Sequence, residues 1–66
     1  MRIVLNGREQ DVASNATLAD LVAAAGLAGQ RVAIEVNREI VPRGDHAARV
    51  LAPGDRVEVV HAIGGG

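Results

Sequence analysis

The alternation of apolar and polar residues along the chain predicts three β-strands, each with one buried face. Strict alternation over four to eight residues is typical of a strand that is covered on one side. The predicted strands are residues 2–6, 31–37 and 56–63, whose inward residues are Ile3 and Leu5, then Val32, Ile34 and Val36, then Val57 and Val59. The first and last strands are strongly apolar, so we expect them to be neighbours at the centre of one sheet.

A two-residue turn is predicted directly after the first strand. Asn6-Gly7 is the dipeptide that most favours a type I′ hairpin, because both central residues of that turn need a positive φ. The chain should therefore return as a second strand over residues 8–13, mostly polar, with Val12 facing inward.

One short helix is predicted after this hairpin. Thr17 is a candidate N-cap, and Asp20 three residues later resembles the second half of a capping box. Gly26 stands where a helix C-cap belongs. The spacing predicts one apolar face, made of Leu18, Leu21, Val22 and Ala25.

The second half of the chain contains shorter signals. Residues 40–41 look extended and stop at Pro42, residues 43–46 resemble a turn, and residues 49–51 suit a further short strand before a turn at 52–55. Two strands, one helix and further strands predict an α+β fold, a mixed sheet of four to five strands with the helix across one face. We expect a domain over residues 1–63 and a flexible tail over residues 64–66.

Composition excludes several classes of function. The chain has 66 residues and no Cys, Lys or aromatic residue, with a net charge of −1. Disulfides, thiolate metal sites, base stacking and a basic nucleic-acid surface are therefore not expected. No apolar run approaches a membrane span, no leader is visible, and a cytoplasmic protein is expected.

The two histidines are not expected to bind a metal, because no acid or thiol lies at ligand spacing from them. His46 stands on a polar turn and is predicted to be solvated. His61 shares a face with Val59 and Ile63 and is predicted to be partly packed. The sequence also fixes no carboxylate pair closely enough for acid–base catalysis.

The chain ends in HAIGGG, in which the end of a predicted strand is followed by glycines that have no side chain to pack. If Val57 and Val59 face the core, Val60 and Ala62 face outward. Together with Ile63, and with Val4 on the neighbouring strand, they predict a small apolar surface for protein binding beside the tail. The alternatives at this point are ordinary strand packing and a frayed end.

Three segments carry a family resemblance: VAIEVNREIVPR (32–43), APGDRVEVV (52–60) and the terminal HAIGGG. In this order they resemble the ThiS family of sulfur carriers in thiamin biosynthesis, which have the ubiquitin-like β-grasp fold. The chain departs from that family at His46, where a bulky aromatic residue is common, and in ending in three glycines. The first departure is expected to change local packing only.

The resemblance implies that the chain is a carrier acted on by enzymes, without a cofactor or metal of its own, and monomeric when free. The Gly66 carboxylate would be adenylated by a ThiF-like adenylyltransferase that uses ATP and Mg, and converted to a thiocarboxylate with sulfur from a donor such as a cysteine desulfurase. A ThiG-like thiazole synthase would receive the sulfur, while Gly64 and Gly65 thread the tail into its active site. Alternatives are a MoaD-like molybdopterin carrier, a ubiquitin-like modifier and a structural module.

Overall fold

The computed structural model describes the backbone of residues 1–61 and the side chains of residues 1–60. Five strands form one sheet in the order β2-β1-β5-β3-β4, and one helix lies on one of its faces. This confirms the predicted mixed sheet and fixes the strand number at five. The elements are β1 (Arg2–Leu5), β2 (Arg8–Asp11), α1 (Leu18–Ala24), β3 (Val32–Val36), β4 (Glu39–Ile40), a 3₁₀ turn (Arg43–Asp45) and β5 (Arg56–His61).

β1 and β2 form the predicted hairpin. Asn6 and Gly7 have φ values of 49° and 82°, as a type I′ turn requires. β2 is shorter than predicted and ends at Asp11. Beyond it, the Val12 N–H still bonds Met1 O at 2.8 Å, and the Met1 ammonium donates to Val12 O at 2.6 Å. Val12 nevertheless packs against the core, as its position in the pattern indicated.

β5 lies at the centre of the sheet, which confirms that the first and last strands are neighbours. It runs parallel to β1, with Val4 opposite Arg56, and antiparallel to β3, with Ile34 opposite Val59. The N–H of Val4 bonds Asp55 O and that of Asn6 bonds Val57 O, both at 2.9 Å. The last described residues of the chain therefore lie on the central strand of the sheet.

The helix begins as predicted. Thr17 Oγ1 accepts from the Asp20 N–H at 3.1 Å, and the Asp20 carboxylate accepts from the Thr17 N–H at 2.9 Å. Leu18 and Leu21 are buried against the sheet, but Ala25 is exposed, so its predicted place on the apolar face was wrong. Ala25 is the C-cap, and Gly26 at φ 76° turns the chain away at that point.

The core is aliphatic throughout, as a sequence without aromatic residues requires. Sheet and helix contribute to one cluster, in which every member is at least nine-tenths buried. Its residues are Ile3, Leu18, Leu21, Ile34, Val36, Val41, Leu51 and Val57.

Residues 49–51 do not form the predicted strand. They pair with the segment just before the helix, through Leu18 N–H to Arg49 O at 2.8 Å and Leu51 N–H to Ala16 O at 2.9 Å. A single bridge, Thr17 opposite Val50, is the extent of this pairing. The segment closes the side of the core beside the helix and adds nothing to the sheet.

His46 is buried, so the prediction that it is solvated was wrong. Its ring is 9% exposed, and Nε2–H donates to Val41 O at 2.9 Å. The 3₁₀ turn brings the chain back under α1, where the Ala19 N–H bonds His46 O at 3.0 Å. His46 therefore has a packing role, as expected from its departure from the family pattern.

Candidate functional site

β5 directs the chain end towards one end of the sheet. Its last residue, His61, is opposite Val32, the first residue of β3. The predictions for the His61 side chain, for Ala62 and Ile63, and for Gly64, Gly65 and Gly66 lie outside the described residues. So does the boundary predicted between domain and tail.

Val60 faces away from the helix, as predicted. It is 51% exposed and lies directly opposite Ala33, which is also exposed. Residues opposite each other in a register share one face of the sheet. Val60 and Ala33 therefore form an apolar pair one residue before the end of β5. The pair lies on the uncovered face of the sheet, which is the face opposite the helix.

Val4 shares that face but does not adjoin Val60. It is half-buried and lies opposite Arg56, four residues earlier on β5. This corresponds to about 13 Å along the strand at the usual rise per residue. Arg56 and Glu58 occupy the positions between them, so the structure separates the two residues that the sequence had grouped.

Ile40 is an exposed apolar residue that the sequence reasoning missed. It is 68% exposed and lies opposite Glu35, so it stands on the uncovered face at the edge strand β4. Ile40 was missed because a second hairpin was not recognised in the sequence. Asn37 and Arg38 have φ values of 52° and 70° and join β3 to β4 in the manner of Asn6-Gly7.

Two carboxylates face each other in the middle of this surface. Glu35 on β3 is directly opposite Glu58 on β5, and neither forms an ion pair with a described side chain. The two carboxylates lie between Ile40 on β4 and the apolar pair of Val60 and Ala33. We call these five residues the acidic-apolar face: Ala33, Glu35, Ile40, Glu58 and Val60.

At the other edge of the same face, Arg2 lies beside two carboxylates. Arg2 lies 3.3 Å from Glu9 Oε1 and 3.4 Å from Asp11 Oδ1. The hydrogen bond that Arg2 donates to Asp11, with the charges of Asp11 and Glu9, raises the pKa of Arg2 above its ordinary value. The carboxylates of this edge are thus paired with Arg2, whereas Glu35 and Glu58 form no ion pair with a described side chain.

The described side chains show no constellation for catalysis. Within residues 1–60, no three His, Cys, Asp or Glu side chains are placed to hold a metal ion. A shallow groove of about 220 Å³ lies between α1 and the 3₁₀ turn, with mostly apolar walls. Arg43 at its rim donates to Gln30 O at 2.7 Å.

None of the helices in the described part of the chain is long and apolar enough to cross a membrane.

A sequence profile described as the ThiS family matches residues 3–66. The chain belongs to the ThiS family. Membership of this family supports a sulfur-carrier role in thiamine biosynthesis.

Solved structures of the same family show the same fold. The crystal structure of the thiamine biosynthesis protein ThiS from Geobacter metallireducens matches with a TM-score of 0.86 at 30% identity, covering 100% of both chains. A solution structure of a thiamine biosynthesis protein from the same organism matches with a TM-score of 0.78 at 30% identity, covering 100% of this chain and 88% of the other. The ubiquitin-like β-grasp fold is thereby confirmed.

Two curated relatives are much longer than this chain. All 66 residues match a thiazole synthase of Magnetococcus marinus at 44% identity and one of Paramagnetospirillum magneticum at 38% identity. In each case the chain spans about a fifth of the relative, 20% of its length. Proteins named thiazole synthase therefore contain a domain similar to this one.

Proposed function

We propose that this protein carries sulfur as a thiocarboxylate on its terminal glycine, Gly66, and delivers it for the thiazole ring of thiamine. The observation that carries the proposal is the family match, which runs through Gly66. The fold supports it, because the central strand β5 leads directly into the glycine tail.

The chemistry requires little of the carrier itself. A terminal carboxylate is ionised at neutral pH and is a poor electrophile. Adenylation at the expense of ATP would supply a leaving group, with release of diphosphate. Sulfide could then attack the carbonyl carbon and displace AMP, which leaves a thiocarboxylate. A donor persulfide would instead displace AMP to give an acyl disulfide, which a second thiol would reduce to the thiocarboxylate with formation of a disulfide. The acid, base and magnesium ion for these steps belong to the adenylyltransferase.

The glycine residues of the tail would give the terminal carboxylate access to a partner's active site. Gly64, Gly65 and Gly66 have no Cβ, so they can adopt backbone conformations closed to other residues and approach a partner's backbone closely. Three extended residues reach about 10 Å. Ordering them costs about 1–2 kcal/mol per residue, which contacts by the body of the domain must offset.

The docking contacts would come from the residues beside the tail. Val60, with its 51% exposure, is the described member of the proposed set Val60, Ala62 and Ile63. Val4 stays in the proposal as a contact further down the same face.

Thiazole synthase is the partner that the comparisons support most directly. Two relatives bear that name and contain a region similar to the whole of this chain. We propose a separate ThiG-like thiazole synthase, a ThiF-like adenylyltransferase and a sulfur donor such as a cysteine desulfurase as the enzymes that use this carrier.

Intact-mass measurement tests the proposal. The full chain is incubated with the adenylyltransferase, ATP, Mg and a sulfur source, and should gain the mass difference between sulfur and oxygen at its C-terminus. A chain lacking Gly66 serves as the matched control. Isopeptide adducts to target lysines without a thiocarboxylate would instead identify a ubiquitin-like modifier.

Genetic complementation separates the two carrier classes. The gene should restore growth of a thiamine auxotroph that lacks its own carrier. Rescue of molybdenum cofactor synthesis alone would identify a MoaD-like carrier and overturn the proposal.

A further inference from the structure

We propose that the acidic-apolar face is the surface by which this protein recognises thiazole synthase, and that Glu35 and Glu58 together bind a basic side chain of that enzyme. The inference rests on the proposed function for the identity of the partner. It adds the recognition residues, four of which, Ala33, Glu35, Ile40 and Glu58, lie outside the apolar set predicted from the sequence.

The two carboxylates are placed at a cost to the fold. Like charges directly opposite each other on neighbouring strands are destabilising. Glu35 is also half-buried, where a charge is screened less by water than at an exposed position. Arg56 precedes Glu58 by two residues on the same face, yet it forms no ion pair with either carboxylate. The pair is therefore ready to accept a cation from outside the domain.

Apolar residues flank the carboxylates on the same surface. Ile40 and Val60 are two of the three exposed large aliphatic residues in the described part of the chain, and both border the pair. Interfaces commonly combine a desolvated apolar centre with charged groups whose complementarity selects the partner. A lysine or arginine of the partner, bordered by apolar side chains, would complement both the negative charge and the apolar residues of this face.

The position of the face points to the enzyme that receives the tail. Val60 is the penultimate residue of β5 and precedes Gly66 by six positions in the sequence. A surface this close to the tail is in contact with whichever enzyme takes the terminal glycine. Thiazole synthase is favoured because proteins of that name contain a domain similar to this whole chain, which keeps carrier and synthase together.

Calorimetric titration of the full chain into purified thiazole synthase of the same organism tests the inference. The double variant Glu35→Gln/Glu58→Gln should bind about tenfold more weakly, and its affinity should depend less steeply on salt than that of the natural chain. Glu39→Gln is the matched control, since Glu39 lies opposite Val36 and so on the other side of the sheet. It should bind like the natural chain. Thermal unfolding of the double variant should occur at a higher temperature, because the repulsion between the carboxylates is removed.

Equal affinity and equal salt dependence for the double variant and the natural chain would overturn the inference. So would loss of thiocarboxylate formation in the double variant with unchanged synthase binding, which would assign the face to the adenylyltransferase. Sedimentation that shows the natural chain to dimerise and the double variant to be monomeric would assign it to a second copy. In each of these outcomes the natural chain still gains mass at Gly66, so failure of the inference is distinguishable from failure of the proposed function.

Discussion

The side-chain amide of Asn37 donates a hydrogen bond to Oδ1 of Asp55, 3.0 Å away and 18 positions along the chain. Asn37 Oδ1 accepts from the Arg56 N–H at 3.0 Å, and Asp55 Oδ2 accepts from the Ala52 N–H at 2.8 Å. The two residues thus tie the turn after β3 to the turn before β5. They hold the central strand in the register that places Glu58 opposite Glu35.

Asp55→Ala should lower the free energy of unfolding by about 2–3 kcal/mol, because it leaves the Ala52 N–H and the Asn37 amide without their acceptors. Asn37→Gly keeps the positive φ and removes only the side-chain bonds. A double-mutant cycle on urea unfolding should show a coupling of about 1 kcal/mol between them. Asp45→Ala, at an exposed aspartate whose carboxylate has no hydrogen-bond partner among the described residues, should stay within about 0.5 kcal/mol of the natural chain. Additive effects at positions 37 and 55 would contradict the assigned link.

Arg38→Gly should stabilise the protein by about 0.5–1 kcal/mol, because Arg38 occupies a left-handed conformation with φ 70° that glycine adopts without strain. Gly7→Ala should destabilise it by about 1 kcal/mol, since Gly7 has the equivalent position in the first hairpin with φ 82°. Arg38→Ala is the control, because it removes the guanidinium and keeps the strain. Thermal denaturation of the three variants gives the comparison, and a stability for Arg38→Gly no greater than that of Arg38→Ala would argue against backbone strain at this turn.

His46→Ala should lower the free energy of unfolding by about 2 kcal/mol, because it opens a cavity beneath α1 and leaves the Val41 carbonyl without its donor. His46→Gln, which retains a donor group, should lose less. Urea denaturation of both variants at neutral pH measures the difference. A solvated histidine would predict no change in either variant.

Deletion of Gly65 and Gly66 should abolish rescue of the thiamine auxotroph, while the temperature of thermal unfolding should stay unchanged. The deleted residues have no side chains to pack, and the proposed reaction needs the carboxylate at Gly66. Growth of the carrier-deletion strain and differential scanning calorimetry check the two parts. Rescue by the shortened chain would identify a β-grasp module whose tail has no function.

The local elements were predictable because short-range rules determine them. The capping box of Thr17 and Asp20 and the Asn6-Gly7 turn depend on residues no more than three positions apart. The inward residues of the strands followed from alternation alone, as Ile3, Ile34 and Val57 show. The extent of α1 was overestimated by the same reasoning, since its C-cap comes at Ala25.

The candidate site was predicted only in part. Val60 was identified as outward-facing from the alternation of β5, and its exposure confirms this. Glu35, Glu58 and Ile40 were missed because a sheet face is formed by several strands, and the sequence of one strand does not show which other strand will pair with it. Val4 was placed too near Val60 for the same reason, since the parallel register of β1 and β5 was unknown.

The sequence by itself determined strands β1, β2, β3 and β5, the helix start, the aliphatic core and the glycine tail, because each depends on neighbouring residues and on composition. Only the tertiary structure decided that β5 lies between β1 and β3, that His46 is buried beneath the helix and that residues 49–51 pair with the segment before α1. These features join residues far apart in the chain, and burial of one shared apolar core selects among the possible pairings. The same selection placed Glu35 opposite Glu58 and so created the face proposed to recognise the synthase.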